Sequence, residues 1–245
     1  MHGLAARMTV TGWLTMYLLI IALPVALTWA VGREPSAGIV EILATDTGLI
    51  AFSLLVVSLV LMARMPSLMA AVGIEMILLM HRMVALSVVV LVAVHVVLIV
   101  LSDPRGIGIF DLRAAPAPAW AAFIATALLG ATVWSGMRRR RRQPRYEGWR
   151  MLHIALAGTV FVSAWLHVWW LNLLTAHTVH TIWFVSLGVV VLAVAVRRWL
   201  WLPLRAHRRS YVVDEVAPVQ GDAVTLKVNA HGHGGSRFVP ASSPG

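Results

Sequence analysis

The chain contains no cysteine and few charged side chains. The absence of cysteine excludes a disulfide framework, a thiolate zinc or iron–sulfur site and a cysteine nucleophile. Only 12% of the 245 residues are charged, whereas 60% are hydrophobic. That composition is too apolar for a soluble domain of this length and predicts a membrane protein.

Acidic residues are also scarce inside the apolar runs. Asp46 and Glu75 lie near the ends of such runs, and no aspartate or glutamate lies in the middle of one. Transporters and proton-coupled pumps usually need acidic side chains within the membrane, so this pattern argues against that class. The formal net charge of +10 comes from arginines that flank apolar runs. Membrane topology explains this placement better than binding to nucleic acid, which we do not expect.

Six runs are long enough to cross a bilayer core, which takes about 20 apolar residues per helix. The predicted spans are 12–31, 48–65, 76–101, 118–137, 149–173 and 180–200. They predict an all-α membrane protein, a six-transmembrane-helix bundle with a short cytoplasmic β-like tail. The predicted division is a cytoplasmic N-terminus at 1–11, a membrane domain at 12–203 and a cytoplasmic tail at 204–245. A cleaved signal peptide is the alternative for the first span, because Arg7 precedes it.

Arginine clusters predict the orientation. One cluster lies between spans four and five at 138–150, and another follows span six at 197–209. The positive-inside rule places both in the cytoplasm. The loop at 32–47 has one arginine against three acidic residues, and the loop at 102–116 balances two arginines against two aspartates, so both should lie outside. With six spans, both termini are expected to be cytoplasmic. We expect a multi-pass protein of a cell membrane, of the bacterial plasma-membrane type, that is surrounded by membrane lipid.

Histidines recur at one spacing in two of the spans. "HRMVALSVVVLVAVH" runs from His81 to His95, and "HIALAGTVFVSAWLH" runs from His153 to His167. In a helix, fourteen residues turn through about four turns less 40°, so the two histidines of each span share a face, about 21 Å apart. Both spans run outward. If they are neighbours, His81 is level with His153 and His95 with His167.

Two facing imidazoles suit the two axial positions of a haem iron. A zinc site would gather three or four ligands about 2 Å from one ion, which pairs about 21 Å apart cannot supply. The histidine pairs therefore predict two haems at two depths, which would carry electrons across the hydrocarbon core. The alternative for any single histidine is a hydrogen-bond partner between helices.

Other residues near these pairs carry weaker signals. Arg82 follows His81 and Arg150 precedes His153 by one turn, so either arginine would suit an anionic haem propionate or be an ordinary arginine at the membrane edge. His177 and His180 fall in the predicted outer loop. We expect solvated loop histidines there, and the alternative is contact with the edge of the outer haem or with an acceptor.

The six spans, the histidine pairs, "HRMVA" before span three and "YEGWRMLH" before span five resemble the ferric reductase-like transmembrane family. The family includes NADPH oxidases and ferric-chelate reductases. The resemblance covers about residues 10–200. It implies two b-type haems that carry electrons from a cytoplasmic flavin to oxygen or a ferric complex outside. By position, the inner ligands would be His81 and His153, and the outer ligands His95 and His167.

The tail carries two strand-like segments, "YVVDEV" and "AVTLKV". They resemble the first strands of the flavin-binding barrel that follows the membrane domain in oxidases. Two strands do not make a barrel, so we expect a poorly ordered tail. FAD and NAD(P)H would then act only through a missing or separate module, such as a cytoplasmic flavin reductase, and the chain would be an oxidoreductase component. The alternatives are a haem-binding subunit that serves a separate reductase, as in methionine-sulfoxide reductase, and a membrane transporter or anchor without redox function.

Overall fold

The structure of the chain is a computed structural model that describes residues 9–31, 37–63, 65–102, 111, 113–138, 146–172, 177–207, 211–218 and 224–230. Seven α-helices come first: α1 (Val10–Val31), α2 (Ile39–Leu61), α3 (Pro66–Val72), α4 (Ile74–Ser102), α5 (Ala117–Arg138), α6 (Tyr146–Trp170) and α7 (Thr178–Val196). A π-helical turn (Arg197–Trp201), α8 (Leu202–His207) and two strands, β1 (Tyr211–Pro218) and β2 (Val224–Ala230), follow.

Six helical segments are long and apolar enough to cross a membrane: α1, α2, α4, α5, α6, and α7 with its continuation to Leu204. Their number and order agree with the six predicted spans. Most of the described chain is helical, and its strands are β1 and β2 alone, so the predicted fold class, an all-α multi-pass membrane protein, is confirmed. Pro24 lies within α1, which continues through it to Val31.

The predicted start of the second span is wrong. α2 begins at Ile39, nine residues before the predicted start at position 48, so much of the supposed outer loop is helical. Polar side chains are accommodated there by local hydrogen bonds: the hydroxyl groups of Thr45 and Thr47 donate to carbonyls one turn earlier. Asp46 accepts a hydrogen bond from the indole N–H of Trp29 on α1. These bonds explain how a polar segment that resembles a loop extends a membrane helix.

The helices of the membrane unit pack mainly as two antiparallel pairs. α2 lies along α4, and α5 lies along α6, while α1 packs against α2. Among the described residues, one buried cluster joins four of these helices through Leu55, Val88, Leu129 and Val160. α2 is the most buried of the spanning helices, which is consistent with a position inside the bundle.

The chain divides into two compact units, Met1–Val191 and Leu192–Gly245. In the second unit, β1 and β2 pair as an antiparallel hairpin with an irregularity between Val213 and Glu215. The two strand predictions are confirmed. Their backbone pairing is supported by a side-chain hydrogen bond from Asn229 to Asp214, and the poor order of the tail stays a prediction.

Candidate functional site

Two helices carry the four histidines. His81 and His95 lie on α4, His153 and His167 lie on α6, and all four imidazoles are partly buried. His81 is within electrostatic range of His153, and His167 is within range of His95. These interactions group the four histidines as two pairs, His81 with His153 and His95 with His167.

The imidazole of His95 is held by α2. Its Nδ1 atom lies 2.7 Å from the carbonyl oxygen of Ala44. A carbonyl oxygen only accepts hydrogen bonds, so Nδ1 carries the proton and donates it. The ring lies directly against the backbone of Gly48, one turn further along α2.

The imidazole of His167 is held in the same manner by α5. Its Nδ1 atom lies 2.9 Å from the carbonyl oxygen of Pro118, in the first turn of that helix. The acceptor is again a backbone carbonyl, so Nδ1–H is again the donor. Both histidines nearer the C-terminal ends of α4 and α6 thus donate to main-chain oxygens of neighbouring helices.

The imidazole of His81 contacts a serine of α2. Its Nδ1 atom lies 3.0 Å from the hydroxyl oxygen of Ser58 and 3.2 Å from the carbonyl oxygen of the same residue. That carbonyl belongs to the last turn of α2, where helix carbonyls lack a partner further along the helix. The carbonyl again requires a protonated Nδ1, because it cannot donate.

The imidazole of His153 contacts a serine of α5. Its Nδ1 atom lies 3.5 Å from the hydroxyl oxygen of Ser135. That hydroxyl donates its own hydrogen to the carbonyl of Thr132 at 2.8 Å, so its oxygen is left to accept from Nδ1–H. The indole of Trp149 stacks on His153 with ring centroids 5.2 Å apart, and its N–H donates to the Ser135 carbonyl at 3.1 Å.

One consequence is common to all four histidines. Each Nδ1–H group donates to the helix next to its own, which fixes the ring and selects the tautomer with its proton on Nδ1 rather than on Nε2. The acceptor residues Ala44 and Ser58 on α2 are fourteen residues apart, as are the two histidines on α4. A single antiparallel alignment of the two helices therefore places both histidines next to their acceptors. An imidazole prepared in this manner is suited to bind a metal through Nε2.

The donor set decides which metal group these residues fit. No three His, Cys, Asp or Glu side chains gather into a metal-binding group in the part of the chain that the structure describes. A zinc or magnesium ion bound by protein ligands alone needs a larger set. Two imidazoles per site fit the two axial positions of a haem iron, whose other four ligands come from the porphyrin.

The neighbouring arginines are less informative. Arg82 is exposed beside His81, and Arg150 is exposed one turn before His153.

His177 is exposed as expected, but the prediction for His180 is wrong. α7 begins at Thr178, so His180 belongs to its first turn and is only 3% exposed. Its Nε2 atom lies 3.5 Å from the hydroxyl oxygen of Thr28 on α1, and burial against α1 removes it from solvent.

The comparison with known families supplies an independent observation. Residues 47–164 match the family described as the ferric reductase like transmembrane component. The match confirms the resemblance to this family. The ferric reductase-like segment contains His81, His95 and His153 and ends three residues before His167. No curated protein matches the chain.

The acceptors of the Nδ1–H bonds were not predicted. Ser58 and Ser135 are polar residues in apolar helices, and that signal was available in the sequence. The carbonyls of Ala44 and Pro118 have no such signal, because every residue has one. Gly48, the glycine of the ferric reductase-like segment that contacts His95, likewise resembles any other glycine in a helix.

Proposed function

We propose that the chain is a transmembrane electron-transfer domain that holds two haem b groups. His81 and His153 would bind the inner haem, and His95 and His167 would bind the outer haem. One observation carries the proposal: all four imidazoles hydrogen-bond to neighbouring helices through Nδ1, so the proton of each ring lies on Nδ1 and not on Nε2. The family match over residues 47–164 supports it.

A bound haem supplies a one-electron change at iron without a change of ligands. The residues of the chain hold the imidazoles in place for both oxidation states. Each histidine is fixed at two points, by its helix backbone and by its Nδ1–H bond, so little has to move when the charge changes. The apolar helices around the sites exclude water and lower the local dielectric constant, which makes these fixed dipoles more effective.

The direction of electron flow follows from the arginine clusters. They favour a cytoplasmic location for both termini, so electrons would enter from a cytoplasmic NAD(P)H and flavin module, such as a flavin reductase partner. They would leave to an acceptor outside, either oxygen or a ferric complex. Arg82 and Arg150 are candidates for contact with the propionates of the inner haem, because each adjoins an inner histidine.

The first experiment is a haem count on the purified chain. Pyridine haemochrome absorbance should give two haems per chain, with sharp low-spin bands on reduction by dithionite. His95→Ala or His167→Ala should remove one haem, and His81→Ala or His153→Ala the other. His177→Ala is the control, because that histidine is exposed and belongs to neither pair. A wild-type preparation with one haem or none would overturn the proposal.

A further inference from the structure

Gly48 of α2 lies in unusually close contact with a histidine of α4. A Cβ atom at position 48 would lie 2.9 Å from both Cε1 and Nδ1 of His95 and 3.5 Å from Nε2. Carbon atoms in proteins pack at about 3.5–4.0 Å, so an alanine would overlap the imidazole. Only a residue without a side chain leaves the ring in its present place.

The closeness has a geometric cause. In an α-helix the carbonyl of one residue points towards the amide four residues later. To reach the carbonyl of Ala44, the ring of His95 must therefore cross the helix surface at position 48. Because glycine has no side chain, the Ala44 carbonyl stays accessible, and Nδ1 of His95 reaches its oxygen at 2.7 Å.

We propose that Gly48 is the positioning residue of the outer histidine: it admits the imidazole of His95 to α2, where the Ala44 carbonyl fixes its tautomer and its direction. The inference rests on the proposed function only where haem is concerned. Among the described glycines, none lies this close to one of the other three histidines. Gly136 would place a Cβ atom 3.9 Å from Cε1 of His153, which is ordinary contact.

The chain contains matched controls. Gly130 and Gly158 are helical glycines of α5 and α6, and a Cβ atom at either would meet nothing within 4 Å. Alanine is favoured over glycine inside any helix, so all three substitutions share the same intrinsic gain in helix stability. A loss that appears only at position 48 must therefore come from contact with the imidazole.

The test compares Gly48→Ala, Gly130→Ala and Gly158→Ala in the purified full chain. Haemochrome counts and low-spin electron paramagnetic resonance signals are measured, together with the melting temperature. In Gly48→Ala, the outer haem should be retained about 10–100-fold less tightly, the range typical for loss of a partner of a metal-binding histidine. Its resonance signal should shift or vanish while the inner signal stays. Two haems with both signals unchanged would overturn the inference.

A double variant separates a local clash from a folding failure. Suppose that Gly48→Ala loses both haems. The double variant Gly48→Ala/His95→Ala should then hold the inner haem as well as His95→Ala alone, because without the imidazole there is no clash. Continued loss of both haems in the double variant would refute the positioning role. If the wild type itself contains no haem, the proposed function fails, but this inference remains testable. Gly48→Ala should then lower the melting temperature, and the His95→Ala background should abolish that effect; an equal effect in both backgrounds refutes the inference.

Discussion

Val88 of α4 and Val160 of α6 belong to one buried cluster, and each lies seven residues from both histidines of its own helix. Seven residues correspond to about 10 Å along a helix axis. The two valines therefore mark the midpoint between the inner and outer pairs. Leu55 and Leu129 complete this layer, and each of the four is at most 8% exposed. An apolar, packed layer thus separates the two candidate haem sites.

The midpoint layer makes a prediction about stability. Val160→Ala should lower the free energy of unfolding by about 1 kcal/mol or more, because it removes two methyl groups from a packed site. Val162→Ala is the control, since Val162 is 54% exposed on the same helix and faces away from the cluster. Lipid tails are as apolar as the protein interior, so the difference reports packing rather than transfer from water. Equal melting temperatures for the two variants in detergent would contradict this account.

The orientation can be tested with single cysteines, because these 245 residues contain none. Asp111 precedes α5 and Glu147 lies in the first turn of α6, and both are exposed. In intact cells, an impermeant thiol reagent should label Asp111→Cys and leave Glu147→Cys unlabelled until the membrane is opened. The reverse pattern would invert the topology and with it the proposed direction of electron flow.

The sequence predicted those features that repeat along a helix or depend on composition. Length and hydropathy were sufficient for six spans, and a spacing of fourteen residues was sufficient to place His81 and His95 on one face. The start of α2 was missed because Thr45, Asp46 and Thr47 are polar, and hydropathy does not register hydroxyl groups that bond to their own helix. His180 was misplaced for a related reason, since the first turn of α7 resembles a polar loop.

Contacts between helices could not be predicted from the sequence. The acceptors for His95 and His167 are backbone carbonyls, which are identical at every position and become special only when a neighbouring helix arrives. Gly48 differs from Gly130 and Gly158 only in what lies opposite it. Such features depend on the register between α2 and α4, and a single sequence does not encode that register in its periodicity.

Ser135 should influence the inner site alone. Ser135→Ala removes the oxygen that accepts from Nδ1–H of His153, and we expect the inner haem to be held about 10-fold less tightly. Ser186→Ala is a matched control, because the Ser186 hydroxyl also donates to a carbonyl of its own helix but is exposed. Haem retention after dilution in detergent measures the effect. Loss of the outer haem instead, or equal retention in both serine variants, would contradict the assignment.

A second close contact with glycine lies between α6 and α7. A Cβ atom at Gly188 would overlap the indole of Trp165, with Cζ3 only 2.8 Å away and Cη2 closer still. The indole cannot retreat easily, because it stacks on Phe184 with ring centroids 3.8 Å apart. Alanine gains about 1 kcal/mol over glycine in a helix, but overpacking costs about 1–3 kcal/mol.

We therefore expect Gly188→Ala to lower the melting temperature, or at best to leave it unchanged, whereas Gly130→Ala should raise it. The second comparison is Trp165→Phe with and without Gly188→Ala. A smaller ring vacates the space that the new methyl group needs, so in this background alanine should show the usual helix preference and stabilise the chain. If Gly188→Ala stabilises the wild type as much as Gly130→Ala does, then Trp165 does not pack against the backbone of α7, and the stack with Phe184 does not hold it there.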